Sequence, residues 1–457
     1  MPPFALALAE IALVTLAGLA VCSLLAWKPE RPATVLLIGL LVVSAEVPFL
    51  ALLSQPAGVG AAWLSMILFA GLVVYRRRFL GALPFSPGDL LWPAAASAST
   101  ILLAGFLLAN DYRSGDRLDA DSLVFWALRG HFIFAGGVFS SDFWGIIHPD
   151  YPPLLPLLNA HGYFLAGVSG EVPTVVIAYV LAFVAVFALG DALARVVSRP
   201  WTFAIPVLLV LAPVPMYPVH PRILLAGYAE TWSILFVALL CLWDPRSRGR
   251  PMSGDEGVVL LTISLLKNEG CVMACLYAVV RCLLIAIADA RPVAATLRAA
   301  PRFALALAPG FGWIALVRAA QVGSHYAFFR LPSASEAAPR LAALLEYYRG
   351  LPWIYWLVPL VLVCSLVRPA STEARVLGRP DPWRLWMVFH AGALYGLIVA
   401  VVVMFNGLPR LALENSFHRL HWSVLLISLI LAARMADLVI ARASPEPRTP
   451  EREASPA

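Results

Sequence analysis

The sequence predicts an all-helical integral membrane protein. Hydrophobic residues make up 61% of the 457 residues and charged residues only 13%, and the mean hydropathy is +0.82. Apolar runs of about twenty residues recur along the chain, and each is long enough to cross the ~30 Å hydrocarbon core of a bilayer as a helix. No soluble fold class accounts for this pattern. The first run, 4–26, has no basic segment before it, so we expect a retained span and not a cleaved signal peptide.

The apolar runs, taken in order, predict about thirteen transmembrane helices in one membrane domain, 1–441. One run, 257–266, is too short for a full crossing, because a polar segment interrupts it. The charged and proline-rich segment 442–457 is expected to be a disordered cytoplasmic tail. The predicted spans are 4–26, 33–53, 61–75, 90–109, 172–194, 203–217, 227–243, 257–266, 271–288, 303–320, 351–367, 385–405 and 421–438.

Arginine sets the predicted orientation of these helices. All but two of the 33 basic residues are arginine, the exceptions being Lys28 and Lys267, and the net charge is +6. The basic residues cluster in connections that can all be cytoplasmic together, which places the long connection after the fourth span outside. Because the arginines lie at helix ends and not on one face, the positive charge does not predict nucleic-acid binding.

The two outer connections differ in character. The first, 111–170, is expected to be a large external loop, and it holds six aspartates in a chain where acids are scarce, which indicates chemistry. The second, 321–350, is expected to contain an amphipathic helix at 337–348 that lies on the membrane surface. The six aspartates are Asp111, Asp116, Asp119, Asp121, Asp142 and Asp150.

Three further polar segments lie near membrane depth on the same predicted side. They are 220–231, the short LLKNEG segment at 265–270, and 409–422. Ionisable groups at such depth cost roughly 2.5–3.5 kcal/mol each on insertion scales, and they usually face a cavity or a partner. Because all three segments share a side with the acidic loop, we expect them to converge on one cavity. Their ionisable residues include Arg222, Glu230, Lys267, Glu269, Arg410, Glu414, His418, Arg419 and His421.

These segments carry a family resemblance through short motifs in a shared order. DSLVFWALRGHFIFAGG (121–137), HPDYPPLLPLL (148–158), LLAGYAET (224–231), LLKNEG (265–270) and NSFHRLHW (415–422) resemble motifs of bacterial polytopic glycosyltransferases of the GT-C superfamily, of the protein mannosyltransferase and aminoarabinose transferase type. Asp121 and Trp126 keep the family's spacing. Arg129 stands where the family usually has lysine, and Glu230 where it usually has aspartate.

The resemblance implies transfer of a sugar from a polyprenyl-phosphate donor to a glycan, lipid or protein acceptor, with inversion, at the outer face of the bacterial cytoplasmic membrane. Asp121 would take the acceptor proton, and Asp119 is the alternative because a two-residue shift in register exchanges them. Cations must hold the departing phosphate. The candidate cations are Arg419, Lys267 and Arg222, and the candidates for sugar or acceptor binding are Glu230, Glu269, Asp150, Tyr151, His148, Trp126 and His421.

Several alternatives stay open at the level of sequence. Lys267 and Glu269 are also suited to pairing across a helix break for purely structural reasons, and Trp126 fits an interfacial aromatic belt. No residue spacing predicts a metal site or another cofactor, although a divalent metal is compatible with the chemistry. A multi-pass transporter or flippase is the second function considered, because broken helices are typical of transporters. Against it stand the long acidic loop and the absence of a two-fold repeat in hydropathy. A membrane scaffold without activity is the third.

Overall fold

The computed structural model describes residues 2–81, 83–111, 126–137, 151–211, 231–245, 250–288, 291–320, 333–349, 361, 382–404 and 418–443. These residues form sixteen helices and no strand, which confirms the predicted all-helical class. In chain order the helices are α1 (Pro3–Leu24), α2 (Pro32–Leu50), α3 (Gln55–Tyr75), α4 (Arg77–Leu80), α5 (Pro87–Asp111), α6 (Leu128–Gly136), α7 (Leu154–Ala166), α8 (Glu171–Leu193), α9 (Arg199–Leu211), α10 (Thr231–Leu242), α11 (Gly254–Leu266), α12 (Asn268–Ala288), α13 (Pro292–Ala319), α14 (Ala334–Arg349), α15 (Pro382–Met404) and α16 (His418–Ala443).

Nine of the described helices are long and apolar enough to cross a membrane, and each coincides with a predicted span. They are α1, α2, α3, α5, α8, α12, α13, α15 and α16. Three further predicted spans correspond to shorter helices within the described ranges, α9, α10 and α11, of 13, 12 and 13 residues. The one remaining predicted span, 351–367, lies almost wholly outside the described residues. The membrane class is therefore supported, whereas the count of thirteen spans remains a prediction.

The predicted cytoplasmic connections meet at one end of the helical bundle. Arg31, before α2, lies 3.2 Å from Asp191 near the end of α8, and Arg250, before α11, lies 2.9 Å from Glu30. Arg76, after α3, donates to the carbonyl of Ser23 in α1 at 2.9 Å. We call this end of the bundle the basic end. Its assembly from several connections agrees with the positive-inside pattern of the sequence.

The first two helices pack unusually closely because glycine lies at both points of contact. A Cβ added at Gly18 of α1 would overlap the carbonyl oxygen of Val35, and one added at Gly39 of α2 would overlap the carbonyl oxygen of Val14. Small residues at a helix interface allow two backbones to approach within direct van der Waals contact, which drives helix association in lipid. The α1–α2 pair is therefore a tight unit at the N-terminal side of the bundle.

The described parts of the predicted outer loop, 126–137 and 151–170, are largely helical and buried. Helices α6 and α7 pack against each other, and α7 also packs on α1, α2, α3 and α8. Every residue of α7 from Leu154 to Leu165 except Leu157 is buried. The helix ends at Ala166 and is capped by Gly167, whose φ of +72° favours glycine. A 13-residue apolar helix is too short to span, so the sequence alone indicated a loop where the structure has a docked helix.

The second predicted outer connection contains the expected helix, although its limits differ. Helix α14 covers Ala334–Arg349, which includes the predicted 337–348. It packs on α15, and the guanidinium of Arg340 donates to the carbonyl of Val403 near the end of that helix.

Candidate functional site

The centre of the candidate site is a break of one residue between α11 and α12. Helix α11 begins at the basic end with a capping box, in which Ser253 and Glu256 bond each other's backbone N–H groups. It ends at Leu266, and Lys267 has extended backbone with φ −157° and ψ 154°. The chain is helical again from Asn268. Because 13 helical residues rise only about 20 Å, Lys267 lies about 20 Å along α11 from the basic end, which is less than the ~30 Å hydrocarbon thickness of a bilayer.

Gly270 explains how α11 and α12 pass each other closely. A Cβ at this position would lie 2.6 Å from the carbonyl oxygen of Ile263 in α11 and 3.4 Å from the Cβ of Trp232 in α10. Only glycine fits this approach without a shift of the backbone. The glycine of the LLKNEG segment therefore has a packing reason, which is to hold α12 against the last turn of α11.

Lys267 and Glu269 form an ion pair at the break. Their Nζ and Oε1 atoms are 3.8 Å apart, and the lysine side chain is 7% exposed whereas the glutamate side chain is 32% exposed. The ammonium also lies 5.9 Å from the ring centre of Tyr151, within the range of a cation–π contact. The pair therefore combines a buried ammonium with a partly exposed carboxylate.

Trp126 and Tyr151 form an aromatic pair next to this ammonium. Their ring centres are 5.3 Å apart with an angle of 14° between the planes, which is a stacked arrangement. Both residues are buried, at 3% and 9% exposure. Four of the predicted site residues, from three distant parts of the sequence, therefore lie together: Trp126, Tyr151, Lys267 and Glu269. Trp126 stacks on the ring of Tyr151 and is buried, so it does not lie in an exposed interfacial belt.

Arg129 and Trp313 belong to the same cluster, although the sequence assigned neither a role at the site. Arg129 is fully buried, donates to the carbonyl oxygen of Tyr151 at 3.1 Å, and has its guanidinium carbon 5.9 Å from the ring centre of Trp313. The arginine was noticed only as a departure from the family's lysine. A tryptophan in the apolar run of α13 offers no signal, because tryptophan is common in such helices.

The three predicted polar segments lead into helices that meet at α10. Helix α10 follows the first segment, and it packs against α12, which begins in the second, and against α16, which begins in the third. Four polar atoms near the starts of these helices are buried without a hydrogen-bond partner among the described residues. They are Thr231 Oγ1, Glu269 Oε2, Trp422 Nε1 and Ser423 Oγ. Buried polar groups normally have partners, so this region is suited to receive a polar ligand or the neighbouring loop residues.

The break carries groups of both signs, because the Lys267 ammonium is paired with the Glu269 carboxylate. The last carbonyls of α11 carry partial negative charge, which stabilises the Lys267 ammonium, and the first N–H groups of α12 carry partial positive charge. An anionic group near Lys267 would meet both the ammonium and these N–H donors. Among the described residues there is no group of three or more His, Cys, Asp or Glu side chains that could hold a metal ion.

Several predicted site residues lie outside the described residues, so their placement stays a prediction. These are Asp119, Asp121, His148, Asp150, Arg222 and Glu230. Arg419 and His421 belong to the first turn of α16, whose backbone is described. The roles of the predicted base and of two of the three predicted phosphate cations therefore stay predictions.

Comparison of the chain with protein-family models, with curated proteins and with solved structures finds no match in any of the three.

Proposed function

We propose that the protein is a membrane glycosyltransferase that moves a sugar from a polyprenyl-phosphate donor to an acceptor, with inversion. The observation that carries the proposal is the Lys267–Glu269 pair at a helix break within membrane depth, next to the stacked rings of Trp126 and Tyr151. A lipid-linked phosphate has its charge at the membrane surface and its chain in the bilayer. A buried cation beside aromatic rings suits such a headgroup better than it suits a soluble substrate.

The proposed chemistry assigns separate roles to cations and to an acid. The acceptor hydroxyl oxygen attacks the anomeric carbon, the bond from that carbon to the phosphate oxygen breaks, and the acceptor proton passes to Asp121 or Asp119. The polyprenyl phosphate leaves as an anion, so cations at the phosphate contribute more than an acid would. Lys267 supplies a point charge, and Arg419 and Arg222 would supply bidentate contacts.

The remaining candidates would hold the sugar and the acceptor. Glu269 positions Lys267, and Glu230 is suited to bind a sugar hydroxyl. His148 and Asp150 come just before Tyr151, so the chain that leads into the aromatic pair would form the acceptor side. His421 follows Arg419 by two residues, which is about half a helical turn, and would line the same entrance. The acceptor is a glycan, a lipid or a protein, and the site would open to the outer face of the bacterial cytoplasmic membrane, opposite the basic end.

A transporter or flippase of a lipid-linked or polar substrate is the alternative function. The observation in its favour is the break between α11 and α12 at Lys267. Discontinuous helices with charged residues at the break also form substrate sites in carriers. The two functions differ in what Asp121 does. A transferase needs its carboxylate for chemistry after the donor has bound, whereas a carrier moves substrate without breaking a bond.

The test begins with the lipids of a strain that lacks the gene. A transferase predicts accumulation of a polyprenyl-phosphate sugar, which the wild-type gene reverses and Lys267→Ala does not. Arg302→Ala is the matched control, because Arg302 is an exposed cation of α13 outside the site, and it should restore the wild-type lipids. Protein level in the membrane is measured for each variant. An unchanged lipid profile in the deletion strain would contradict the transferase proposal.

A further inference from the structure

A second group of ionisable side chains lies inside the helical bundle on helices that do not form the break. Glu10 is the eighth residue of α1, about 10 Å from the start of that helix, and His161 lies in the middle of α7. The two side chains are 1% and 0% exposed. The Nδ1 atom of His161 is 2.9 Å from Oε1 of Glu10, so a hydrogen bond joins the first helix to the docked helix α7.

A third ionisable group, Glu46 of α2, belongs to the same cluster. Its carboxyl interacts electrostatically with both Glu10 and His161, and the hydroxyl of Ser65 in α3 lies beside it. The Oε2 atoms of both glutamates and the Nε2 atom of His161 are buried and have no hydrogen-bond partner among the described residues. Two carboxyls and an imidazole thus lie together, and each has one buried polar atom without a hydrogen-bond partner among the described residues.

The charge of this cluster depends only on how many protons it holds. With both carboxyls ionised and the imidazole neutral, the cluster would carry two negative charges in surroundings of low dielectric. Among the residues that the structure describes, no cationic side chain acts on His161. Isolated buried charge costs several kcal/mol per ion. The cluster becomes neutral when it holds two protons, whichever of the three groups carry them. In water near pH 7 the same three groups would hold almost none.

We propose that Glu10, Glu46 and His161 form a buried proton-binding site, and that its protons hold α7 against α1 and α2. The ligand is the proton itself, and the proposal does not depend on the transferase function. When the protons leave, the two carboxylates repel each other, and the buried Glu10 carboxylate obtains water only if α7 moves away. Because α7 follows Tyr151 in the chain, release of α7 would disturb the aromatic pair beside Lys267.

The other helices that pack on α7 bring no competing charge to this cluster. Helix α6 carries Arg129, which donates to the Tyr151 carbonyl, and His131, whose Nδ1 lies 2.7 Å from the Ser169 hydroxyl. Helix α8 begins with Glu171, which is exposed. Helix α3 offers only the neutral Ser65. Helix α11 also packs on α7, and its acids Asp255 and Glu256 lie in its first turn, where neither acts on Glu46 or His161. Any pH response that involves α7 should therefore depend on the three named groups.

The first experiment looks for the protons by infrared spectroscopy of the full-length protein in lipid. A protonated carboxyl has a carbonyl stretch distinct from that of a carboxylate, and exposed acids are ionised at neutral pH. We expect a protonated-carboxyl band at pH 7 that decreases in Glu10→Gln, in Glu46→Gln, or partly in each. Glu171→Gln is the matched control and should leave the band unchanged. A band that neither cluster variant alters would overturn the proposal.

The second experiment measures amide hydrogen exchange of the wild-type protein in lipid as pH rises. After correction for the intrinsic exchange rate, protection of α7 should fall by up to about tenfold per pH unit for each linked proton, while protection of α8 should stay constant. Glu46 is partly exposed and does not bond His161 directly. Glu46→Gln should make the protection of α7 less dependent on pH. Protection of α7 that is independent of pH in the wild type would refute the coupling of protons to docking.

Discussion

Replacement of Gly270 by alanine tests the packing that places Lys267. The added Cβ would lie 2.6 Å from the carbonyl oxygen of Ile263, about 0.8 Å short of ordinary van der Waals contact. The clashing atom belongs to the backbone, so α11 and α12 must separate. Overpacking of this kind costs about 1–3 kcal/mol, whereas alanine in a helix gains at most about 1 kcal/mol over glycine. We expect Gly270→Ala to lower the free energy of unfolding by about 1–2 kcal/mol.

The same separation should reduce activity through the position of the ammonium. A misplacement of about 1 Å in a catalytic constellation can cost on the order of a hundredfold in rate, and a shift of α12 moves Glu269 relative to Lys267. We expect sugar transfer by Gly270→Ala to fall by about tenfold to a hundredfold in protein that is still folded at the assay temperature.

The assay is thermal unfolding of purified protein in detergent, followed by turnover of a polyprenyl-phosphate sugar in lipid. Gly312→Ala is the matched control, because an added Cβ at this exposed position of α13 meets nothing within 4 Å. It should be as stable as the wild type or up to about 1 kcal/mol more stable. If the unfolding temperature of Gly270→Ala equals or exceeds those of the wild type and of Gly312→Ala, α11 and α12 do not approach as described, and the reasoning fails.

Three further predictions concern the proposed site. Asp121→Asn should reduce transfer on the order of 10²–10⁴-fold in folded protein, measured with purified enzyme; an inactive Asp119→Asn beside an active Asp121→Asn would exchange the two roles. Arg419→Lys should keep more donor use than Arg419→Ala, because lysine keeps the charge but loses the bidentate contact, and an alanine variant with wild-type donor affinity would make Arg419 an interfacial anchor. Glu269→Cys, in a protein without its six native cysteines, should react with a membrane-impermeant thiol reagent added outside, and reaction only from the cytoplasmic side would reverse the orientation.

Features that follow from local composition were predictable from the sequence. The run that became α8, Glu171–Leu193, is long, apolar and bounded by polar residues, so its length alone indicated a span. The break at Lys267 was also predictable, because a lysine and a glutamate after about ten apolar residues cannot continue into hydrocarbon without a cost. The ion pair itself was one of the alternatives that the sequence left open.

Features that depend on distant partners were not predictable in the same way. Helix α7 is buried because of the helices around it, and its 13 residues carry no pattern that separates a docked helix from a loop. Trp126 and Tyr151 are far apart in the chain, so their stacking could be expected only through a shared site. Glu10 and Glu46 did offer a signal, since acids inside apolar runs are rare and usually have a function, but nothing local pointed to His161 as their partner.

The pairing of Glu10 with His161 has a consequence for how the protein is made. The two residues are separated by 151 positions, and synthesis proceeds at about 5–20 residues per second, so roughly 8–30 seconds pass between them. Helices α1 and α2 can assemble through Gly18 and Gly39 well before α7 exists. During that interval Glu10 is already at membrane depth without its imidazole partner. The early hairpin must therefore carry a protonated glutamate or be sheltered by the insertion machinery, and completion of α7 marks the moment at which this first unit of the membrane domain closes.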